Sequence, residues 1–241
     1  MKNTITVSWF SAGVSSAVAT WMMRGKLDHI IYCHIDDQQE DTLRFVEDCK
    51  ALFGGMETMQ SPLKSVNNAC RSCAYVNGPR GAACTRLLKK RVRKEWECNH
   101  EWFCRFRYVW GLDASETKRA DQLRASMPEC EHIFPLIDNG ISKEESHGIL
   151  HKHGIKRPAM YDLGYHNNNC VGCVKGGMGY WNRIRRDFPA VFQARSEMER
   201  IIGHSCIKGI FLDELDPEAG RDEGPIVAEC GVACELLANS L

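Results

Sequence analysis

The sequence predicts an α/β fold: a Rossmann-like parallel sheet with helices on both faces, followed by a Cys-rich C-terminal segment. Short β-branched and apolar runs alternate with stretches of helical periodicity, and glycines end several of these stretches. Alternating strands and helices imply parallel strands joined by right-handed crossovers. The 241 residues suffice for one sizeable domain of this kind. We expect an α/β domain over residues 1–160 and a helical, Cys-rich segment over residues 161–241.

The first strand, loop and helix lie near the N-terminus. Residues 4–7 are β-branched and predict a buried strand, and residues 15–23 predict a helix that ends before Gly25. The connecting turn contains small residues, which are Ser11, Ala12 and Gly13. Such a turn exposes backbone N–H groups and the positive end of a helix dipole to an anion, and nearby serines add hydroxyl donors. A tight connection that merely requires small residues explains the pattern equally well.

The second strand and helix follow directly. Residues 30–35 predict a strand that ends at Asp36, and a helix is expected from Asp41 to Phe53 with Gly54 as its stop. The carboxyl ends of parallel strands share one edge of the sheet. Asp36 therefore lies beside the N-terminal turn, where its carboxylate can accept from a ribose hydroxyl or an adenine amine. An ordinary solvated carboxylate is the alternative.

A long irregular stretch is expected over residues 61–83, because it combines Gly, Pro, Asn and Ser with little periodicity. Cys84 then begins a basic helix that runs to Lys94. Most of its cations are expected to form a solvated face. Those nearest Cys84 are candidates to face an anionic ligand or a negatively charged metal cluster.

Later elements bring further candidates to the same edge. Residues 106–110 predict a strand ended by Gly111, and Lys118 and Arg119 fall in the first turn of the next helix. Another strand is expected over residues 132–136. The remaining helices are predicted after the capping box of Ser142 and Glu145 and over residues 181–202.

A Cys-x-x-Cys motif lies in an Asn/Gly-rich turn and consists of Cys170 and Cys173. Such a turn aims both sulfurs at one centre, which makes this the strongest local signal for a metal ligand pair. A dithiol redox pair is the other functional interpretation. Two incidental buried cysteines would carry no function.

Composition limits the classes of function. The formal net charge is zero, so the whole molecule is not an electrostatic nucleic-acid binder. No apolar run is long enough to span a membrane, and no membrane partner is expected. Thirteen cysteines favour a cytoplasmic protein that uses some thiolates for metal or redox chemistry.

Several stretches together resemble the phosphoadenosine phosphosulfate (PAPS) and adenosine phosphosulfate (APS) reductase family of the PP-loop superfamily. Residues 11–16 resemble the Ser-Gly-Gly-x-Asp-Ser pyrophosphate loop, with Ala12 in place of a glycine and Ser15 in place of the aspartate. Three further matches are His34-Ile35-Asp36, Val109-Trp110-Gly111-Leu112 and Glu229-Cys230-Gly231-Val232. The last is similar to the family's C-terminal signature around its nucleophilic cysteine.

The resemblance implies an adenine nucleotide as the small-molecule ligand, Cys230 as the catalytic nucleophile and a thioredoxin-like reductant as partner. The predicted nucleotide-binding residues are Ser11, Ala12, Gly13, Ser15, Ser16, Asp36, Gly111, Lys118 and Arg119.

The resemblance also implies an iron–sulfur cluster. The cluster-bearing branch of the family has a Cys-Cys pair and then a Cys-x-x-Cys motif, to which Cys84, Cys170 and Cys173 correspond, whereas Ala83 replaces the first member of the pair. The fourth ligand stays open, with Cys230 and Cys234 as the main candidates, ahead of Cys70 and Cys73. Four thiolates suit a [4Fe–4S] cluster, and zinc takes the same number of ligands.

Two departures keep alternatives open. The C-terminal signature lacks its histidine and lies far beyond Cys173, so Cys230 is either nucleophile or ligand. The expected function is a PAPS/APS reductase-like enzyme. One alternative is an ATP-dependent PP-loop sulfurtransferase that modifies nucleic acid or a small molecule through the cluster. A non-catalytic nucleotide or cluster sensor is another, and a homodimer is possible in each case.

Overall fold

A computed structural model describes residues 3–79, 81–100 and 104–221. Its centre is a sheet of five parallel strands in the order β3-β2-β1-β4-β5. The predicted α/β class with a parallel sheet is confirmed. The strands are β1 (Asn3–Phe10), β2 (His29–His34), β3 (Glu57–Gln60), β4 (Cys104–Val109) and β5 (Glu131–Ile133).

Helices connect and flank the strands. Two short 3₁₀ segments, Arg24–Lys26 and Leu212–Glu214, and a π-helix, Thr85–Lys90, accompany the α-helices. No helix within the described ranges is long and apolar enough to cross a membrane. The α-helices are α1 (Val14–Met23), α2 (Asp41–Phe53), α3 (Val66–Ser72), α4 (Arg91–Cys98), α5 (Thr117–Ser126), α6 (Pro135–Asp138), α7 (Lys143–Lys152), α8 (Ala159–Asp162), α9 (Met178–Asp187) and α10 (Pro189–Ile202).

The strand β1 lies at the centre of the sheet, and its side chains alternate between two buried faces. Val7 and Trp9 pack with α4 and α5 on one face, whereas Phe10 packs with α1 and α2 on the other. The face of β1 that meets α1 also carries the buried hydroxyls of Thr6 and Ser8, and the Ser8 hydroxyl shares a hydrogen bond with the Thr20 hydroxyl of α1 at 2.7 Å. Helices therefore cover both faces of the strand. The sheet is therefore the middle layer of three.

Local sequence signals predicted several elements correctly. The helix α2 has the expected bounds and ends at Gly54, whose φ of 83° is the left-handed conformation that glycine favours. The helix α7 begins with the expected capping box, in which the Ser142 hydroxyl accepts from the Glu145 amide and the Glu145 carboxylate accepts from the Ser142 amide.

Other elements differ from expectation. Strand β3 was not predicted, because its four residues lie at a mostly exposed edge and carry little apolar pattern. The stretch 61–83 was expected to be irregular but contains α3, which Ser65 caps by accepting from the Asn68 amide at 3.2 Å. The last predicted strand is shorter than expected, because Pro135 begins α6.

A third apolar core joins the C-terminal part of the described chain to the edge of the sheet. It contains Ile35 directly after β2, residues of α3 and of the π-helix, and many of the apolar residues between positions 160 and 215. At its border, the Asp37 carboxylate pairs with the Arg195 guanidinium at 2.5 Å and also accepts from the Val66 amide at 2.6 Å. The Asp37 carbonyl accepts from the Val171 amide at 2.8 Å. This ion pair and the two backbone contacts of Asp37 therefore hold four segments together: the end of β2, the start of α3, the Cys-x-x-Cys turn and α10.

We predict that Arg195→Met destabilises the fold by about 3–5 kcal/mol, because it leaves the Asp37 carboxylate with an uncompensated charge in a largely buried place. Arg200→Met on the same helix is the control, since Arg200 forms half-exposed ion pairs with Asp213 and Glu214. That control should cost less than about 1 kcal/mol. Urea denaturation measures both, and equal losses would contradict a special role for the buried pair.

Candidate functional site

The 11–16 loop lies where the sheet changes its winding direction. Strand β1 is bordered by β2 on one side and by β4 on the other, and the connections run outward in both directions. In open parallel sheets a crevice forms beyond the strand ends at this switch point, and ligands bind there. The residue Gly111 follows β4 and contacts the loop so closely that a Cβ atom on it would lie 2.3 Å from the Ser16 Cα. The predicted residues Ser16 and Gly111 are thus neighbours.

The loop combines a residue in the left-handed conformation with the N-terminus of α1. Ala12 is buried and has a φ of 61°. This left-handed conformation costs a residue other than glycine roughly 1–2 kcal/mol. Gly13 is the N-cap of α1, and the first intrahelical bond of this turn runs from the Ala17 amide to the Gly13 carbonyl at 3.0 Å. The amides of Ser15 and Ser16 precede that bond, at the positive end of the helix.

Neighbouring groups hold the loop in this shape. The Ser16 hydroxyl accepts from the Ser11 amide at 3.1 Å, and the Tyr161 hydroxyl accepts from the Val14 amide at 3.3 Å. Both Ser15 and Ser16 are buried. The turn therefore does not depend on a ligand for its conformation.

The remaining predicted nucleotide-binding residues lie at the same edge of the sheet but differ in exposure and in their partners. Asp36 is exposed and accepts from the Gln60 side chain at 2.7 Å, so a carboxylate is available beyond β2. Lys118 is exposed in the first turn of α5. Arg119 is buried and pairs with Glu116 at 2.5 Å, which commits part of its guanidinium to holding the loop after β4.

The segment immediately before the Cys-x-x-Cys motif contacts the 11–16 loop. The side-chain Nδ2 of Asn168 donates to the Ala12 carbonyl at 2.9 Å, and its side-chain Oδ1 accepts from the Thr42 hydroxyl at 3.2 Å. Asn168 is only two residues from Cys170. The sequence showed these asparagines as a turn, and nothing in its pattern indicated a contact over more than 150 positions.

The predicted metal ligands of the described chain all belong to the third core. Cys170 and Cys173 are buried, Cys84 is half-buried, and the Cys173 amide donates to the Tyr180 hydroxyl at 2.8 Å. Further thiols pack in the same core, namely those of Cys70, Cys73 and Cys206. Sequence analysis missed Cys206, because no second cysteine at a ligand-like spacing accompanies it. Cys230 and Cys234 lie outside the described residues.

Burial controls the chemistry of these thiols. It raises the pKa of Cys70, and the neighbouring Cys84 raises it further. It also raises the pKa of Cys206, to which the carboxylate of Glu199 adds. Such thiols are poor nucleophiles at neutral pH, since the thiolate is the reactive form.

A buried cation lies near this set. Lys89 belongs to the π-helix that follows Cys84 and is only 8% exposed. Burial raises the pKa of the Tyr32 phenol, the Lys89 charge opposes that rise and Cys170 adds to it, so all three groups share one electrostatic environment. A π-helical turn is rare in proteins and is often found at a functional site, so the backbone here is consistent with one.

The donor set fits a thiolate-ligated centre in its chemistry. One buried polar atom beside it has no hydrogen-bond partner among the described residues, namely the hydroxyl of Thr85, which follows Cys84 in sequence. Donors of this kind stabilise thiolate sulfurs. However, over residues 3–79, 81–100 and 104–221, no three His, Cys, Asp or Glu side chains are placed to hold a metal ion.

Comparison of the chain with family models, with curated proteins and with solved structures gave no match. The interpretation of the site therefore rests on its residues and their geometry.

We predict that Gly111→Ala lowers the melting temperature by about 2–10 °C, because the added methyl group overlaps the Ser16 backbone. Gly148→Ala in α7 is the matched control, since a Cβ there meets no atom within 4 Å. In a helix this control should raise stability by up to about 1 kcal/mol. Calorimetry compares the two, and a Gly111 variant as stable as wild type would show that the close approach is not required.

Proposed function

We propose that this protein is a PAPS/APS reductase-like enzyme that acts on an adenylyl-sulfate-type nucleotide with the help of a cysteine-ligated iron–sulfur cluster. The contact between Asn168 and Ala12 carries the proposal, because it joins the nucleotide loop to the Cys170–Cys173 turn. A nucleotide at the 11–16 loop would thus lie close to the thiols. This proposal includes the finer assignment of the fold as the PP-loop variant of a Rossmann-like sheet.

The loop would bind the phosphate and sulfate end of the nucleotide through the Ser15 and Ser16 amides and the helix dipole. Ser15 replaces the loop aspartate of ATP pyrophosphatases, which fits a reductase. Asp36, at the end of β2, would accept from the ribose or the adenine. Lys118, at the start of α5, would add positive charge.

The reaction would transfer two electrons from thiols to the sulfur atom. The Cys230 thiolate attacks the sulfate sulfur, an S–S bond forms, and the bond between sulfur and the phosphate oxygen breaks to release the nucleotide monophosphate. One thiolate of a thioredoxin-like dithiol then attacks the Cys230 sulfur, which releases sulfite and forms a mixed disulfide. The second thiol of the reductant breaks this mixed disulfide, so that Cys230 is regenerated and the reductant leaves as its own disulfide. Nearby cations such as Lys89 and Arg119 would stabilise the negative charge that these steps move.

Cys84, Cys170 and Cys173 would hold the cluster. Cys234 would be the fourth ligand when Cys230 is the nucleophile, and Cys230 as fourth ligand is the alternative to its catalytic role. When bound, the cluster would contribute to the electrostatics and positioning at the site, together with the cations Lys89 and Arg119. Burial of Cys170 and Cys173 suits ligands, because metal binding deprotonates a thiol that burial would otherwise keep neutral.

We predict that protein purified without oxygen contains about four irons per chain, with matching sulfide and an absorption band in the visible blue. Cys170→Ser should lose most of this iron. Cys98→Ser should retain it, because Cys98 is exposed on α4, away from the third core. Zinc alone, or equal iron in both variants, would exclude the proposed cluster.

We further predict that Cys230→Ser abolishes sulfite release from APS and PAPS in the presence of a thioredoxin-like reductant, while nucleotide affinity stays within about twofold of wild type. The serine hydroxyl cannot form the S–S bond. Sulfite release is measured directly, with Cys98→Ser as control. Turnover at the wild-type rate in Cys230→Ser would overturn the assignment of the nucleophile.

An ATP-dependent sulfurtransferase is the second candidate, and a basic groove favours it. The groove has a volume of about 640 Å³ and runs along the π-helix and α4, starting two residues after Cys84. Basic side chains of this kind bind a nucleic-acid backbone. Its cationic lining residues are Arg86, Lys90, Arg91 and Lys94. Pyrophosphate release from ATP, with no sulfite from APS or PAPS, would identify this activity, whereas binding without turnover would indicate a sensor.

A further inference from the structure

We propose that Lys143 binds the phosphate or sulfate group of a nucleotide at the 11–16 loop and so helps to position that nucleotide. This inference rests on the proposed nucleotide site but not on the reduction of sulfate. No motif in the sequence points to Lys143, because it belongs to a helix far along the chain from the loop.

The start of α7 places Lys143 at the carboxyl edge of the sheet. The capping box of Ser142 and Glu145 fixes the first turn, and Lys143 is its first helical residue. The Lys143 ammonium donates to the Asn167 side-chain oxygen and lies 5.7 Å from the centre of the Tyr161 ring. Its position is therefore defined by two neighbours on other elements.

Both neighbours lead directly to the loop. The Tyr161 hydroxyl accepts from the Val14 amide, at the start of α1. Asn167 is followed by Asn168, whose side-chain Nδ2 donates to the Ala12 carbonyl. The ammonium is thus held by Tyr161, which contacts the loop backbone, and by Asn167, whose neighbour in sequence contacts it.

Any cation that meets an anion at the loop comes from elsewhere in the chain. Residues 11–16 contain no Lys or Arg, so the loop itself offers only backbone amides, hydroxyls and the helix dipole to an anion. Arg119 is engaged with Glu116 at 2.5 Å, whereas Lys118 is exposed. An ammonium has three N–H donors, so the contact with Asn167 is compatible with donation to a ligand oxygen.

The test compares Lys143→Gln, Lys143→Arg and Lys152→Gln. Lys152 is the matched control, because it is exposed in the last turn of the same helix. Dissociation constants are measured by calorimetry for APS, ATP, AMP and adenosine. Lys143→Gln should weaken APS and ATP binding at least about tenfold, the loss typical of a charge-assisted hydrogen bond. Adenosine binding should not change, Lys143→Arg should bind nearly as wild type, and Lys152→Gln should match wild type.

The ligand series shows which group Lys143 contacts. A loss that includes AMP places the contact at the phosphate next to the ribose, and a loss confined to APS places it at the sulfate. Equal affinities in wild type and Lys143→Gln would overturn the inference while leaving the proposed function intact. An equal loss for adenosine would also overturn it, because the residue would then act on the fold. A wild type that binds APS and ATP no better than adenosine would refute the anion site itself.

Discussion

The buried ion pair between Asp37 and Arg195 holds together the parts of the chain that form the site. Arg195 is only 2% exposed, and it also donates to the Gly172 carbonyl at 3.1 Å and to the Asn67 side chain. A guanidinium removed from water is tolerated only where its charge and its donors are matched, and here three different segments match them. The position of the Cys-x-x-Cys turn therefore depends on a charge at the end of β2.

This arrangement links the two halves of the proposed chemistry. From Asp37 the chain continues into α2, whose Thr42 binds Asn168, and Asn168 binds the Ala12 carbonyl. The left-handed conformation of Ala12 is thus supported by the segment that also presents Cys170. A strained residue persists only when its surroundings determine its conformation, and the asparagine supplies that restraint. The 11–16 loop and the Cys-x-x-Cys turn form a single packed unit.

Sequence analysis located the parts that local rules determine. The bounds of α2, the capping box of α7 and the order of β1, the loop and α1 follow from helix signals that neighbouring residues carry. Strand β3 escaped prediction because an exposed edge strand has no apolar alternation. The helix α3 was hidden in a stretch rich in turn-forming residues, where only the Ser65 cap and tertiary packing make the helix stable.

For the candidate site, too, local sequence signals predicted the position of the strand ends but not the contacts between distant residues. The strand ends and their glycines indicate the switch point, so Ser16, Asp36 and Gly111 could be placed at one edge. The roles of Asn168, Tyr161 and Lys143 come from contacts between residues far apart in sequence, which no local pattern encodes. Cys206 joins the thiols in the same way, because α10 and the turn after it fold back onto α3.

The burial of the thiols constrains how any of them takes part in a reaction. Cys70 and Cys206 have pKa values raised by burial, so protons stay on these sulfurs at neutral pH. A thiol in such a place becomes a thiolate only if a metal replaces the proton or a cation lies close to it. The Arg195 cation opposes the rise of the pKa of Cys206, but burial and the Glu199 carboxylate outweigh it. A nucleophile needs both a thiolate and access to the substrate. The buried cysteines are therefore better suited to holding a centre than to attacking a nucleotide, and this agrees with the proposal that assigns the attack to another cysteine.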